Sequence, residues 1–294
     1  MSAVILLSLF YVRLATASPI EDALNWNISQ IGVLGALPIT PEMIAEIGYK
    51  EVVYDEDEKI PKTFDARKKW PKCTSLKTVW DQGGCGACWA VGSASVMGDR
   101  YCIRNQGNVV LSAYDIMSCC KNCTSKGPCK GGLAIRAWQH WNKVGVVTGG
   151  PTKCSGCTCY QYEGVQFNCD HKCRAGYRKS YDSDLTYGRP PKILRKNVEK
   201  IQREIMTNGP VVAIFQVFTD FVNLGKEVYI HKSGGLFSHH VVRVIGWGEK
   251  KVSGKPVPYW LAVNSRGKQW GDKGLFRILR GENHCGFEST IMAD

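Results

Sequence analysis

Gln82-Gly83-Gly84-Cys85-Gly86-Ala87-Cys88-Trp89 sets two cysteines three apart where a helix is expected to begin, with a side-chain amide six residues before the second. A thiol at a helix start lies near the positive end of the macrodipole, which favours its thiolate. A thiolate that attacks a carbonyl also needs donors for the oxyanion it creates. The Gln82 amide and the Cys88 backbone N–H are candidates for that task. The same pair of cysteines also fits a CxxC metal or redox site, so the choice rests on side chains further along the chain.

A nucleophilic thiol needs a base beside it and a third group to orient that base. His240 lies 152 residues after Cys88, in His239-His240-Val241-Val242-Arg243-Val244-Ile245-Gly246-Trp247-Gly248. Asn264 follows in Ala262-Val263-Asn264-Ser265. Both stand at ends of strand-like runs, where a side chain can be held rigidly. His239 is the rival for the base, and Asn264 could instead cap a strand end. His231 and His284 read as surface residues.

These groups need rigid elements to hold them. From Cys88 to about Arg104 the pattern reads as a helix, with Ala90, Gly92, Ser93, Ala94 and Ser95 allowing close approach of a neighbour. Gly92 costs helix stability unless something packs against it. Lys192 to Thr207 reads as an amphipathic helix stopped by Asn208-Gly209-Pro210. Val211–Phe218, Val241–Ile245, Tyr259–Val263 and Phe276–Leu279 read as strands. Residues 118–175 are loop-rich and hold nine cysteines. Helices first and strands second imply an α+β protein of two lobes.

The chain of 294 residues can bury a sizeable core. Fourteen cysteines at scattered spacings suit an oxidising compartment better than zinc binding. Ala3 to Val12 is an apolar run too short to span a bilayer, followed by the small-x-small site Ala15-Thr16-Ala17. Residues 1–17 therefore read as a secretory signal, and no membrane span is expected. Segment 18–59 carries −7 and ends in Asp55-Glu56-Asp57-Glu58, while residues 60–294 carry +18. No stacking aromatics or known module accompany the basic residues, which argues against nucleic-acid binding. Attraction between the acidic segment and the basic body is the more useful inference.

The Gln82–Trp89 stretch, His240 and Asn264 together resemble the papain-like cysteine proteases, and the chain from Ile60-Pro61-Lys62-Thr63-Phe64-Asp65-Ala66-Arg67 onward is similar to their cathepsin B-like branch. The resemblance implies a papain-like two-lobed fold: a helical lobe, a β-barrel-like lobe and an active-site cleft between them. It implies a signal at 1–17, a propeptide at 18–59 and a peptidase domain at 60–294. It makes Cys88 the nucleophile, His240 the base and acid, Asn264 the orienting amide and Gln82 the oxyanion donor. Gly131, Gly132, His239, Val241 and Thr290 would contact substrate. It further implies the disulfides Cys73–Cys102, Cys85–Cys129, Cys119–Cys169, Cys120–Cys123 and Cys159–Cys173. Cys154 and Cys157, without counterparts, are assigned to each other, and Cys285 remains a buried free thiol. Asn27 and Asn122 stand in glycosylation sequons. Peptide substrates, the chain's own propeptide and cystatin-like inhibitors are the partners implied, with no cofactor and no metal. The destination would be the lysosome or the extracellular space.

Four departures from the cathepsin B pattern bear on function. The histidine-bearing occluding loop is missing, since the stretch between Cys159 and Cys169 has no histidine and His171 stands alone. This implies endopeptidase rather than dipeptide-releasing activity. Thr290 replaces a glutamate at the base of the S2 pocket, which implies apolar P2 side chains. His239 and Val241 add bulk beside the base. Arg266 replaces a tryptophan after Asn-Ser, where a guanidinium would repel an imidazolium unless it points to solvent. A weak or inactive homologue that binds peptides or partners in the old cleft is the alternative reading.

Overall fold

A computed structural model describes residues 34–47, 54, 57–105, 107–150, 157–162, 167–222 and 224–294. The expected signal, most of segment 18–59, Cys154 and the Asn27 sequon lie outside these residues. Among the described residues no helix is long and apolar enough to cross a membrane.

In chain order, helix α1 (Pro41–Ile47) precedes the short strand β1 (Phe64–Asp65) and α2 (Ala66–Lys69). Helices α3 (Cys88–Ile103), α4 (Ala113–Cys119), α5 (Ala134–Lys143) and α6 (Tyr181–Asp184) follow. Then come β2 (Lys192–Leu194), α7 (Val198–Asn208), β3 (Val211–Phe218), β4 (Val228–Tyr229), β5 (Leu236–Val252), β6 (Lys255–Val263), β7 (Leu275–Leu279) and β8 (Ile291–Ala293). Helices thus dominate the first half and strands the second, which divides the molecule into a helical and a sheet lobe.

The eight strands form one sheet in the order β2-β8-β3-β5-β6-β7-β4, with β1 added against β5. Its path is open, so the barrel-like lobe expected from the sequence is a single unclosed sheet. The stretch 192–207 also differs from the single helix expected. Lys192–Leu194 pairs with Ile291–Ala293, and the helix begins only after Asn197, whose side chain accepts from the Lys200 backbone N–H at 2.9 Å. The N-cap satisfies a backbone donor that would otherwise be orphaned.

The two lobes meet where α3 packs on β5. A Cβ on Gly92 would lie 2.6 Å from Val241 Cγ1, so glycine is what lets helix and strand approach. Farther along the same contact, buried Arg243 on β5 holds buried Asp99 on α3 at 2.9 Å and donates to the carbonyls of Ser75 and Thr78. A buried ion pair is costly to dehydrate, but once formed it fixes the register of the two elements that carry it.

Candidate active site

Cys88 is the first residue of α3 and is fully buried. Cys85 is bridged to Cys129, so the two cysteines of the CxxC pair cannot act together as a metal or redox couple. Cys88 remains free. Burial pushes its thiol up, partly opposed by backbone hydrogen bonds from Val241, Gly35 and Trp89 and by the Arg266 guanidinium.

His240 lies on β5 opposite Phe215 of β3 and is 1% exposed. Successive strand residues face opposite ways, so His239 and His240 cannot share a role. His239 is half-buried and lines a pocket, whereas His240 turns inward. The ladder that pairs Arg243 with Val263 brings Asn264, just past β6, within reach of the His240 ring. His240 Nε2 and Asn264 Oδ1 are 2.8 Å apart. Asn264 Oδ1 also accepts from the Ser265 backbone N–H at 2.8 Å, which leaves the oxygen, not the amide nitrogen, facing the ring. His240 Nε2 is therefore the donor, and the neutral ring carries its lone pair on Nδ1. His240 Nδ1 is buried without a hydrogen-bond partner. Burial pushes the His240 pKa down to about 3; Asn264 opposes this and Arg266 adds to it.

Gln82 is buried. Its Nε2 donates to the Cys85 carbonyl at 2.8 Å, and its Oε1 accepts from Ser265 Oγ at 2.6 Å. Tyr162 donates to the Gln82 carbonyl at 3.0 Å, and burial lifts its phenol to about 12. Nothing in the sequence singles out Ser265 or Tyr162. Their roles rest on contacts across 183 and 80 residues, and nothing local announces such contacts.

The cleft is occupied. The Gly35 backbone N–H donates to Cys88 Sγ at 3.3 Å. Residues 35–37 run parallel to Gly132 and exchange backbone hydrogen bonds with it: Gly132 N–H to Gly35 O at 2.8 Å, and Leu37 N–H to Gly132 O at 3.0 Å. Ala36 N–H donates to the His239 carbonyl at 3.3 Å. A Cβ on Gly35 would come within 1.8 Å of Gly86 O, and one on Gly132 within 2.5 Å of the Trp89 ring. Helix α1 follows, and Met43 and Ile47 on it, with Ile39 just before it, pack on the helical-lobe core. Glu46 pairs with Arg136 at 2.6 Å.

Pro38 and Ile39 reach a pocket of about 380 Å³ that is also lined by Ile214, His239, Cys285 and Thr290. Two expectations change here. Cys285 is half-buried on this pocket rather than buried, though burial and nearby Asp220 still lift its thiol to about 11. Val241 is buried against Gly92 and lines no part of this pocket. The nearby carboxylate, Glu288, accepts from the Trp260 indole and from the Gly281 and Asn283 backbone N–H groups.

Arg266 is half-buried rather than turned wholly to solvent. Its Nη1 donates to the Gly83 carbonyl at 2.9 Å, and its Nε and Nη2 are buried with no acceptor. His171 stacks on Tyr181 in the cysteine-rich region, where Cys119 and Cys169 are joined. Bridges also join Cys73 to Cys102, Cys120 to Cys123 and Cys159 to Cys173. Cys157 is bridged as well. Asn122 is exposed within the Cys120–Cys123 loop.

The family signature described as papain family cysteine protease matches residues 60–294. A cathepsin B-like cysteine proteinase of Schistosoma japonicum is 39% identical over 260 residues, covering 82% of this chain and 74% of that protein. A gut-specific cysteine proteinase of Caenorhabditis elegans is 39% identical over 245 residues, covering 80% and 73%. Among solved structures, proCathepsin B S9 from Trypanosoma congolense superposes with a TM-score of 0.74 at 29% identity, covering 95% of this chain and 97% of that one. With a buried thiol at a helix start and an imidazole pinned to an asparagine, the chain belongs to the papain family of cysteine proteases, in its cathepsin B-like group.

Proposed function

We propose that this protease cuts internal peptide bonds through Cys88, His240, Asn264 and Gln82, and that it is made as a zymogen closed by its own residues 34–47. The observation that carries the reading is the His240–Asn264 contact at 2.8 Å, which commits Nε2 and leaves Nδ1 for the thiol proton. Cys88 gives that proton to Nδ1, and its thiolate attacks the substrate carbonyl carbon to form a C–S bond. The Cys88 backbone N–H and the Gln82 amide stabilise the resulting oxyanion. Imidazolium then protonates the amine as the C–N bond breaks. A water that gives its proton to His240 hydrolyses the thioester and restores the thiol. Asn264 is a positioning residue, and its neutral amide suffices because the thiolate balances the imidazolium charge.

Residues 34–37 support the zymogen reading because they cover Cys88 Sγ and take up the Gly132 hydrogen bonds a substrate would use. By covering Cys88 this segment adds to the burial that disfavours its thiolate. Thr290, with Glu288 engaged by Trp260, Gly281 and Asn283, supports an apolar P2 preference. The lone His171, stacked on Tyr181, supports endopeptidase over dipeptide-releasing activity. A secretory route to lysosome or extracellular space fits the disulfides.

The test is hydrolysis of blocked internal-bond peptides by the processed protein. Cys88→Ala should abolish it, and Asn264→Ala should lower kcat with little change in KM. Trimming of dipeptides from free C-termini as fast as internal cleavage would contradict the endopeptidase reading.

A further inference from the structure

Cys88 has two flanks. On one, Gly132 and the His239 carbonyl hold the extended strand 35–37. The other is built by residues 80–82 laddered to 265–267: Gln82 N–H donates to Ser265 O at 3.0 Å, and Gly267 N–H donates to Trp80 O at 2.8 Å. Arg266 sits in the middle of that ladder, opposite Asp81, so its backbone is fixed from both sides. Its guanidinium is held at one point only, by Gly83 O. Nε and Nη2, each carrying N–H donors, are buried without acceptors. Leaving such donors unpaired is costly, and far more so on a charged group. The titratable groups facing it are Cys88, Asp81 and Tyr162, with His240 also close enough to feel its charge. None of the described carboxylates pairs with it within 4.0 Å; Asp81 instead accepts from the Gly83 backbone N–H at 2.9 Å.

A peptide in the cleft has its scissile carbonyl at Cys88 and its leaving amine at His240. The residue beyond that amine falls on the flank of Asn264, Ser265 and Arg266. We propose that Arg266 makes this protease select a carboxylate on the leaving-group side, immediately after the scissile bond. A planar guanidinium with two adjacent N–H donors that lack acceptors matches a carboxylate in bidentate fashion once those donors are uncovered. The carboxylate can be an aspartate or glutamate side chain or the terminal carboxylate of the chain. This specificity rests on the peptidase reading above, and the test keeps the two apart.

Four peptides identical on the acyl side carry Asp, Asn or Lys after the scissile bond with a blocked terminus, or end at that residue with a free carboxylate. At low salt, kcat/KM for at least one carboxylate peptide should exceed that for the Asn peptide by about tenfold or more. The preference should shrink with added salt, collapse in Arg266→Gln and persist in part in Arg266→Lys, whose retained charge lacks the fork. The blocked Asp peptide and the free-terminus peptide tell side chain from chain end. Rates on both carboxylate peptides no higher than on the Asn peptide, or an equal ratio in wild type and Arg266→Gln while Cys88 still labels fully, overturn the proposal. Loss of hydrolysis of all four peptides by the processed wild type overturns the peptidase reading itself.

Discussion

At the scale of single residues, Arg266 separates this chain from the pattern it otherwise follows. Its charge favours the Cys88 thiolate and disfavours the His240 imidazolium, because both lie within its field. Activity needs the protonated ring, so the alkaline limb of the pH–rate profile reports that ring and should lie low. Arg266→Trp should move this limb up by as much as about one pH unit, read from kcat/KM against pH. An unmoved limb would dissociate the guanidinium from the ring. Thr290→Glu should raise the rate on Arg at P2 relative to Leu by about tenfold, measured with paired reporters. The helix-start position of Cys88 and the pairing of His240 with Asn264 were legible in the sequence because the proposed reaction constrains their types and spacing. Tyr162, Ser265 and the cleft-filling Gly35 were not, because each acts through a partner brought in only by the fold.

At the scale of elements, the site depends on how α3 lies on β5. The helix presents the thiol and the strand presents the ring, so a small slip of one against the other separates them. Gly92→Ala improves helix propensity yet drives a methyl into Val241, and it should cost about 1–3 kcal/mol in denaturant unfolding while reducing kcat. Asp99→Ala leaves Arg243 charged and unpaired in the interior and should cost about 3–5 kcal/mol. Helix α3 was readable because its small residues and its start coincide within one stretch of sequence. Strand β2 falls in a stretch whose pattern reads as helix, because its partner, Ile291–Ala293, lies nearly a hundred residues away and leaves no local mark. The open path of the sheet is likewise a property of pairing, which alternation of residue types does not encode.

At the scale of the whole molecule, the acidic segment and basic body meet in contacts of unequal acid sensitivity. Conversion of thiol plus imidazole to thiolate plus imidazolium takes up no net proton, so opening the cleft is not acid-driven through that pair. Glu46 is different: its hydrogen bond to Arg136 holds the carboxyl below its ordinary range. A carboxyl with a lowered pKa in the closed form contributes fully above its ordinary value and loses that contribution as pH falls through the lowered one. Self-processing should therefore accelerate as pH drops below about 4.5, and Glu46→Gln should bring modest processing at neutral pH, about two- to fivefold faster than wild type because the pair is exposed. A precursor stable in acid and cut only at neutral pH would contradict this. Tyr54 donates to Glu204 at 2.5 Å inside the Arg100, Asp294 and Lys192 network, a second anchor for the segment that leads to the peptidase body.

Two free thiols stand among the described residues, Cys88 at the cleft and Cys285 on the adjoining pocket, and only one of them belongs to the proposed chemistry. The processed protein can be treated with a peptidyl epoxide while hydrolysis of a reporter and the mass of each cysteine peptide are followed together. Expected is one equivalent bound at Cys88, with hydrolysis falling in step and Cys285 unmodified. Full labelling of Cys88 with hydrolysis intact, or inhibition that follows Cys285 instead, would contradict the assignment.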